Sequence, residues 1–229
     1  MFSSAVDGYW RSVFSGPYAG SPFRYVVSPG LEDGLHLATL TSPDGAVAAA
    51  ATPAAAAAIG QPADASALDI ALAAAGMRLH GADHVFYLPE ASHADRRARG
   101  LHPAVRTLGG DDLAAFHAFE AAASREDVDA ALVDLDDDLA VGVFDGDRLV
   151  AAGSSYPFRG SNLWDLGVLT LPASRGRGYA LAVVNALAQA AFEAGGEPQY
   201  RCQTDNAASI ALAGTAGFVR FGDWDVVER

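Results

Sequence analysis

At 229 residues the chain is longer than one ordinary domain and shorter than two, so one enlarged domain and a small domain beside a standard one both fit. Half of it is apolar, yet no stretch reaches the roughly 18 consecutive bulky apolar residues of a membrane span, and the opening MFSSAVDGYWR carries no basic, leucine-rich leader; the expected place is the cytoplasm. A formal charge of −13, with all fifteen basic residues arginine and none in a patch, argues against nucleic-acid partners; it would favour a cationic amine by steering, although net acidity is common in soluble proteins and the bland reading leads.

Along the chain, residues 1 to about 100 read as an N-terminal α/β region. It has a helix around Val6 to Phe14, extended runs at Phe23 to Val27, Leu35 to Leu40 and Val47 to Ala50, and alanine-rich helix opened by Pro53. His80 and His84 straddle Asp83 before the strand-like run His84 to Leu88, but no further ligand completes a metal site. The polar, arginine-rich stretch Ala91 to Gly100 lacks apolar periodicity and is the expected boundary, placing a second domain at 101–229.

That second region is patterned more sharply. A strand at Ala104 to Leu108 precedes a helix capped by Asp111 or Asp112, with Leu113, Phe116, His117 and Phe119 on one face, and a short helix near Asp127 to Val133. The run Asp134, Asp136, Asp137 and Asp138 lacks the glycine and closing glutamate of a calcium loop and reads as a solvated turn. Strands follow at Leu139 to Phe144 and Arg148 to Ser155, joined by Asp145-Gly146-Asp147, and at Asn162 to Thr170. After Pro172 the period becomes helical, with Ala180, Val183, Val184, Leu187, Ala191 and Ala194 in one stripe ending at Gly195-Gly196. A strand at Gln199 to Gln203, a helix at Asn206 to Ala216 closed by Gly217, and a strand pair within Val219 to Val227 complete the order βααβββαβαββ. Cys202, the sole cysteine, excludes an intrachain disulfide and reads as a buried thiol.

The chemistry concentrates at Ser174-Arg175-Gly176-Arg177-Gly178-Tyr179-Ala180, where a strand turns into the long helix. A helix start offers amides without intrahelical partners, and glycines remove the Cβ atoms that would hold an anion away from them. Leu181 stands where a dinucleotide fingerprint needs its third glycine, and no Gly-Lys-Ser or Gly-Lys-Thr ending makes a Walker loop.

The segment GVLTLPASRGRGYA, with Arg175, Gly178 and Ala180 in the places of Arg or Gln, two residues, Gly, one residue, Gly or Ala, resembles the GNAT acyltransferase superfamily. Asn206-Ala207-Ala208-Ser209 followed by Gly217-Phe218 is similar to that family's second cofactor-contacting helix. The resemblance covers about residues 104 to 229 and implies an α/β (α+β) fold with a mixed, mostly antiparallel central sheet flanked by helices, behind an N-terminal extension of about 100 residues. It implies acetyl-CoA or another acyl-CoA, its pyrophosphate on the amides of Gly176, Arg177, Gly178, Tyr179 and Ala180. Its pantetheine would lie along Val168, Leu169 and Thr170 as an added strand, with further contacts from Asn206 and Ser209. It also implies an N-acyltransferase acting by direct transfer on an amine of a small molecule or peptide, and leaves a homodimer open. A non-catalytic acyl-CoA-binding regulatory module is the alternative, because the family's proton-donating tyrosine, seven residues after the asparagine, is Ala213 here. Asp165, the only carboxylate on its strand, is the expected base, with Glu120 and Tyr156 behind it. Residues 1–100 are expected to shape the acceptor pocket or an interface.

Overall fold

The computed structural model describes residues 1–17, 20–31, 34–98, 100 and 102–228. In chain order the elements are α1 (Ser4–Val13), β1 (Phe23–Val27), β2 (Leu35–Thr41), β3 (Val47–Ala51), α2 (Pro53–Ile59), α3 (Ala65–Ala74), β4 (Asp83–Tyr87) and α4 (His93–Ala98). There follow β5 (Val105–Thr107), α5 (Leu113–Ala121), α6 (Arg125–Ala131), β6 (Leu139–Asp145), β7 (Arg148–Pro157) and β8 (Leu163–Thr170). The chain closes with α7 (Tyr179–Glu193), β9 (Glu197–Gln203), α8 (Ala207–Thr215) and β10 (Val219–Glu228). No helix among the described residues is long and apolar enough to cross a membrane.

Contacts divide the chain into two compact units: Met1 with Tyr87–Arg201 and Ala208–Val219, and Phe2–Phe86 with Cys202–Ala207 and Arg220–Arg229. In the second of these the strands run β1-β3-β2-β10-β4, with β1 parallel to β3 and the β3-β2 and β2-β10 pairs antiparallel. Helix starts follow their caps: Ser3 accepts from the Val6 amide, Thr52 from Ala55, and Asp64 from Ala67 at 2.8 Å, with Pro53 in a first turn where its missing N–H costs nothing. Leu37, Ala49, Ala51, Ala55, Ile59, Leu68, Leu72 and Val227 form one buried cluster that joins β2, β3 and β10 to α2 and α3. The expected terminal strand pair is one continuous strand. Gly222 does not turn the chain; it lets β10 pass close to β2, where a Cβ would stand 2.8 Å from the Thr41 carbonyl. His84 is held by Asp223, Nδ1 to Oδ1 at 2.6 Å, and Arg220 donates to both oxygens of the same carboxylate.

In the first unit the strands run β9-β8-β7-β6-β5; β9 is parallel to β8 and the other pairs are antiparallel. Helix α7 packs on β6, β7 and β8, while α5 packs on β7 and α6 on β8. These are opposite faces. A Cβ on Gly153 would meet Val183 and Leu187 of α7, and one on Gly167 would meet the Ala131 and Leu132 carbonyls at the end of α6; Gly153 pairs with Val168, one residue along from Gly167, and side chains alternate. Leu108, Phe116, Phe119, Ala140, Leu149, Ala152, Leu169 and Leu171 fill the α5 and α6 side.

Local chemistry moves two expected boundaries. Ser124 accepts from the Asp127 amide at 3.1 Å, so α6 starts at Arg125, and it ends where Leu132 turns left-handed, φ 49°. Asp112 does not cap α5 by its side chain. It closes the preceding turn instead, accepting from the Gly109 amide at 3.0 Å and from both terminal nitrogens of Arg106. The arginine-rich stretch 91–100 lies within this unit, with Arg99 outside the described residues. Arg96 of α4 donates to the Asn185 side chain and the Ala216 carbonyl, and Arg97 donates to the Phe192 carbonyl and lies 4.3 Å over its ring.

Candidate functional site

β8 and β9 begin as neighbours and then part. Their parallel register runs Leu163↔Glu197, Trp164↔Pro198, Asp165↔Gln199 and Leu166↔Tyr200, and goes no further, although β8 continues to Thr170. On its other side β8 stays paired with β7 through Thr170↔Ala151. Residues 167–170 therefore present an open main-chain edge inside the sheet, where groups that normally join a ladder can bond an added strand. Val168 and Thr170 are half-buried on that edge, and Leu169 sinks its side chain into the core, leaving its main chain to contribute. The Thr170 hydroxyl oxygen is buried without a hydrogen-bond partner among the described residues.

The open edge leads directly into the turn before α7. Gly176 (φ 76°) and Gly178 (φ 80°) are left-handed, a region costly for residues with a Cβ, and a Cβ on either would project into open space. Gly178 occupies the cap position of α7 without a side-chain cap, and among the described residues the amides of Gly176, Arg177, Gly178 and Tyr179 find no backbone acceptor. Uncapped amides at the positive end of a 15-residue helix bind anions by hydrogen bonding and by the helix dipole. Ala180 adds only a methyl group on the first helical turn. The residues present thus fit a diphosphate joined to an extended, amide-bearing arm, which are the features of the pyrophosphate and pantetheine of CoA.

Arg175 is not a free cation over this cradle. Its Nε donates to the Thr170 carbonyl at 3.2 Å and its guanidinium pairs with Asp127 on α6 at 3.0 Å, so it braces the turn against β8 and α6. Asp127 is held below the usual carboxylate range first by the Ser124 hydroxyl and then by Arg175. Arg177 is exposed and lies 3.5 Å from Asp145. Ser209 stands on the first turn of α8; Asn206, just before that helix, belongs to the other compact unit.

On the α6 face, a polar row crosses β7, β8 and β9 where β8 and β9 separate: Tyr156 pairs with Asp165, and Asp165 with Gln199. Asp165 is 5% exposed. Its Oδ1 accepts from Gln199 at 3.0 Å and its Oδ2 from Arg201 Nε at 3.2 Å and a terminal nitrogen at 2.9 Å, while the Tyr156 hydroxyl lies 3.4 Å away. The Tyr87 hydroxyl in turn donates to Gln199. Both oxygens of Asp165 are taken up by Gln199 and Arg201, so its geometry suits holding Arg201 beside the point where β8 and β9 part. Arg201 had no motif to mark it, and only the alternation of β9 aligns it with Gln199. The Tyr156 hydroxyl is raised above its usual range by burial and then by Asp165. Glu120 lies on α5, and among the described residues no hydrogen bond joins its side chain to the row. Ala213 on α8 is fully buried. Burial also pushes the Cys202 thiol up to about 12, which keeps it protonated and inert.

Residues 111–218 match the model of the Acetyltransferase (GNAT) family. No curated protein matches the sequence. Among solved structures, the chain is similar to a protein assigned to the GNAT family from Novosphingobium aromaticivorans, with 20% identity and a TM-score of 0.50 over 65% of this chain and 64% of that one. It is also similar to a GNAT-family acetyltransferase from Colwellia psychrerythraea, with 17% identity and a TM-score of 0.52 over 72% of this chain and 63% of that one. The chain thus spans a little under two thirds of the length of either, and at these identities the likeness speaks for the fold. Residues 111 to 218, which match that family's model, contain both the parted strands and the glycine turn.

Proposed function

We propose that this protein is an N-acyltransferase that moves an acetyl or other short acyl group from acyl-CoA directly to an amine of a small molecule or peptide. The observation that carries this reading is the meeting of two features: the unpaired edge of β8 at 167–170 and the uncapped start of α7 at Gly178. When bound, acyl-CoA supplies a thioester whose carbonyl carbon accepts the amine. The amides of 176–180 hold its diphosphate and the main chain of 168–170 orients its arm. Arg201, fixed by Asp165, which Gln199 also holds, places a cation beside the point where the strands part, where negative charge on an acyl oxygen is stabilised. Tyr156 keeps its proton at neutral pH and stands beside this row as a donor for the departing sulfur.

A second reading, a non-catalytic acyl-CoA-binding module, is favoured by the buried Ala213 at the position where the family places its proton-donating tyrosine. Free-thiol release from acetyl-CoA separates the two. Thiol released in proportion to acetylated amine supports the enzyme; tight CoA binding without thiol release for any amine supports the module, and absence of CoA binding contradicts both.

A further inference from the structure

One carboxylate near the row has no place in that scheme. Asp137 lies in the segment between α6 and β6, half-buried among aspartates that are mostly exposed. Its Oδ2 accepts the Ser154 hydroxyl at 2.6 Å, and the same Ser154 oxygen accepts the Asp134 amide at 2.9 Å, so Ser154 pins this segment to β7. Ser154 pairs across the sheet with Gly167, the first residue of β8 beyond its pairing with β9. Alternation puts Ser154, Tyr156, Asp165 and Gly167 on the same face, the face that α6 covers. Asp137 is thereby fixed beside the point where the open edge begins, next to the Tyr156 and Asp165 row.

The two carboxylates have different surroundings. Asp165 is committed to Arg201 and Gln199, whereas Asp137 meets one neutral hydroxyl through one oxygen, and among the described residues its other oxygen has no hydrogen-bond partner. The charged and titratable groups facing Asp137 are Asp134 and Asp138 from its own segment and Asp165 from β8, with Tyr156 of β7 and Arg201 of β9 behind them. Burial first, and then these three aspartates, raise the Asp137 carboxyl above its usual range against the lowering effect of Ser154. One carboxylate tied up by an arginine beside another with an open oxygen divides positioning from proton transfer.

We infer that Asp137, held by Ser154, is the group that takes the proton from the attacking amine, while Asp165 positions Arg201; this rests on the acyltransferase reading above. The amine lone pair forms the new C–N bond as the C–S bond breaks. The N–H proton goes to Asp137, the sulfur leaves with the bonding pair and takes a proton from Tyr156, and Tyr156 regains through solvent the proton that Asp137 gives up, so no net proton is consumed.

The test uses the full chain labelled with carboxyl-13C aspartate, and acetyl-CoA with spermidine, tyramine and a lysine-bearing peptide as acceptors. The Asp137 resonance, assigned by its loss in Asp137→Asn, is expected to titrate above the ordinary aspartate range and to move higher still in Ser154→Ala. Asp137→Asn is expected to lower kcat by about a hundredfold or more, to leave CoA binding unchanged, and to remove the acidic limb of the wild-type pH profile. Ser154→Ala shifts that limb upward with a smaller loss of rate, which keeps the test alive if Asp137→Asn fails to fold. An ordinary titration for Asp137, a wild-type rate and limb in Asp137→Asn, or a wild-type chain that binds CoA but acetylates none of the amines would overturn the inference. A wild-type chain that does not bind CoA would instead overturn the acyltransferase reading on which it rests.

Discussion

Arg175 heads the cradle motif, yet the structure spends it on Asp127 and the Thr170 carbonyl. Arg175→Ala is therefore expected to cost under about 1 kcal/mol of stability, as an exposed pair does, while weakening CoA binding several-fold through a loosened turn; denaturation curves and calorimetric titration read the two effects separately. Cys202 gives a prediction of another kind. With its thiol raised to about 12 by burial, the neutral form persists through pH 8, so an alkylating reagent at pH 8 should react slowly with the native chain and fast in denaturant. Equal rates would mean that the thiol is open. Asp165 was visible in the sequence as a lone strand carboxylate, but its buried partners were not: Arg201 and Gln199 come from a strand 34 to 36 residues later, and only parallel pairing brings them together.

Elements with a strong period or a punctuating residue were legible. The α7 stripe, the Asp145-Gly146-Asp147 hairpin and the Pro53 helix start all stand where local chemistry puts them. The stretch 91–100 was not, because its anchor is the pairing of Arg96 and Arg97 with distant acceptors on α7 and after α8, which no periodicity records. The parting of β8 from β9 was also invisible, since sequence marks strands and not where their pairing stops. Gly167 sits at that point, beneath the end of α6. Gly167→Ala puts a methyl group 2.5 Å from the Ala131 carbonyl oxygen, an overpacking expected to cost about 1–3 kcal/mol, seen as a lower urea midpoint with the slope unchanged. A neutral result would show that α6 is free to shift.

For the whole molecule, the compact units do not follow a single cut in the sequence, because β10 pairs with β2 and so returns the C-terminal strand to the unit that holds most of the first 86 residues. The family match begins at residue 111, after α4 and β5, and ends at 218. If the open β8 edge and the α7 start form one acyl-CoA site, as proposed, Gly178 is its most sensitive position: its φ of 80° and the open space beside it make it both turn and cradle. Calorimetric titration of CoA into the wild-type chain and into Gly178→Val measures this directly. One site per chain is expected, weakened by roughly tenfold or more in the variant, a loss of about 1.4 kcal/mol or more. Absence of binding to the wild type, or equal binding to a folded Gly178→Val, would contradict it.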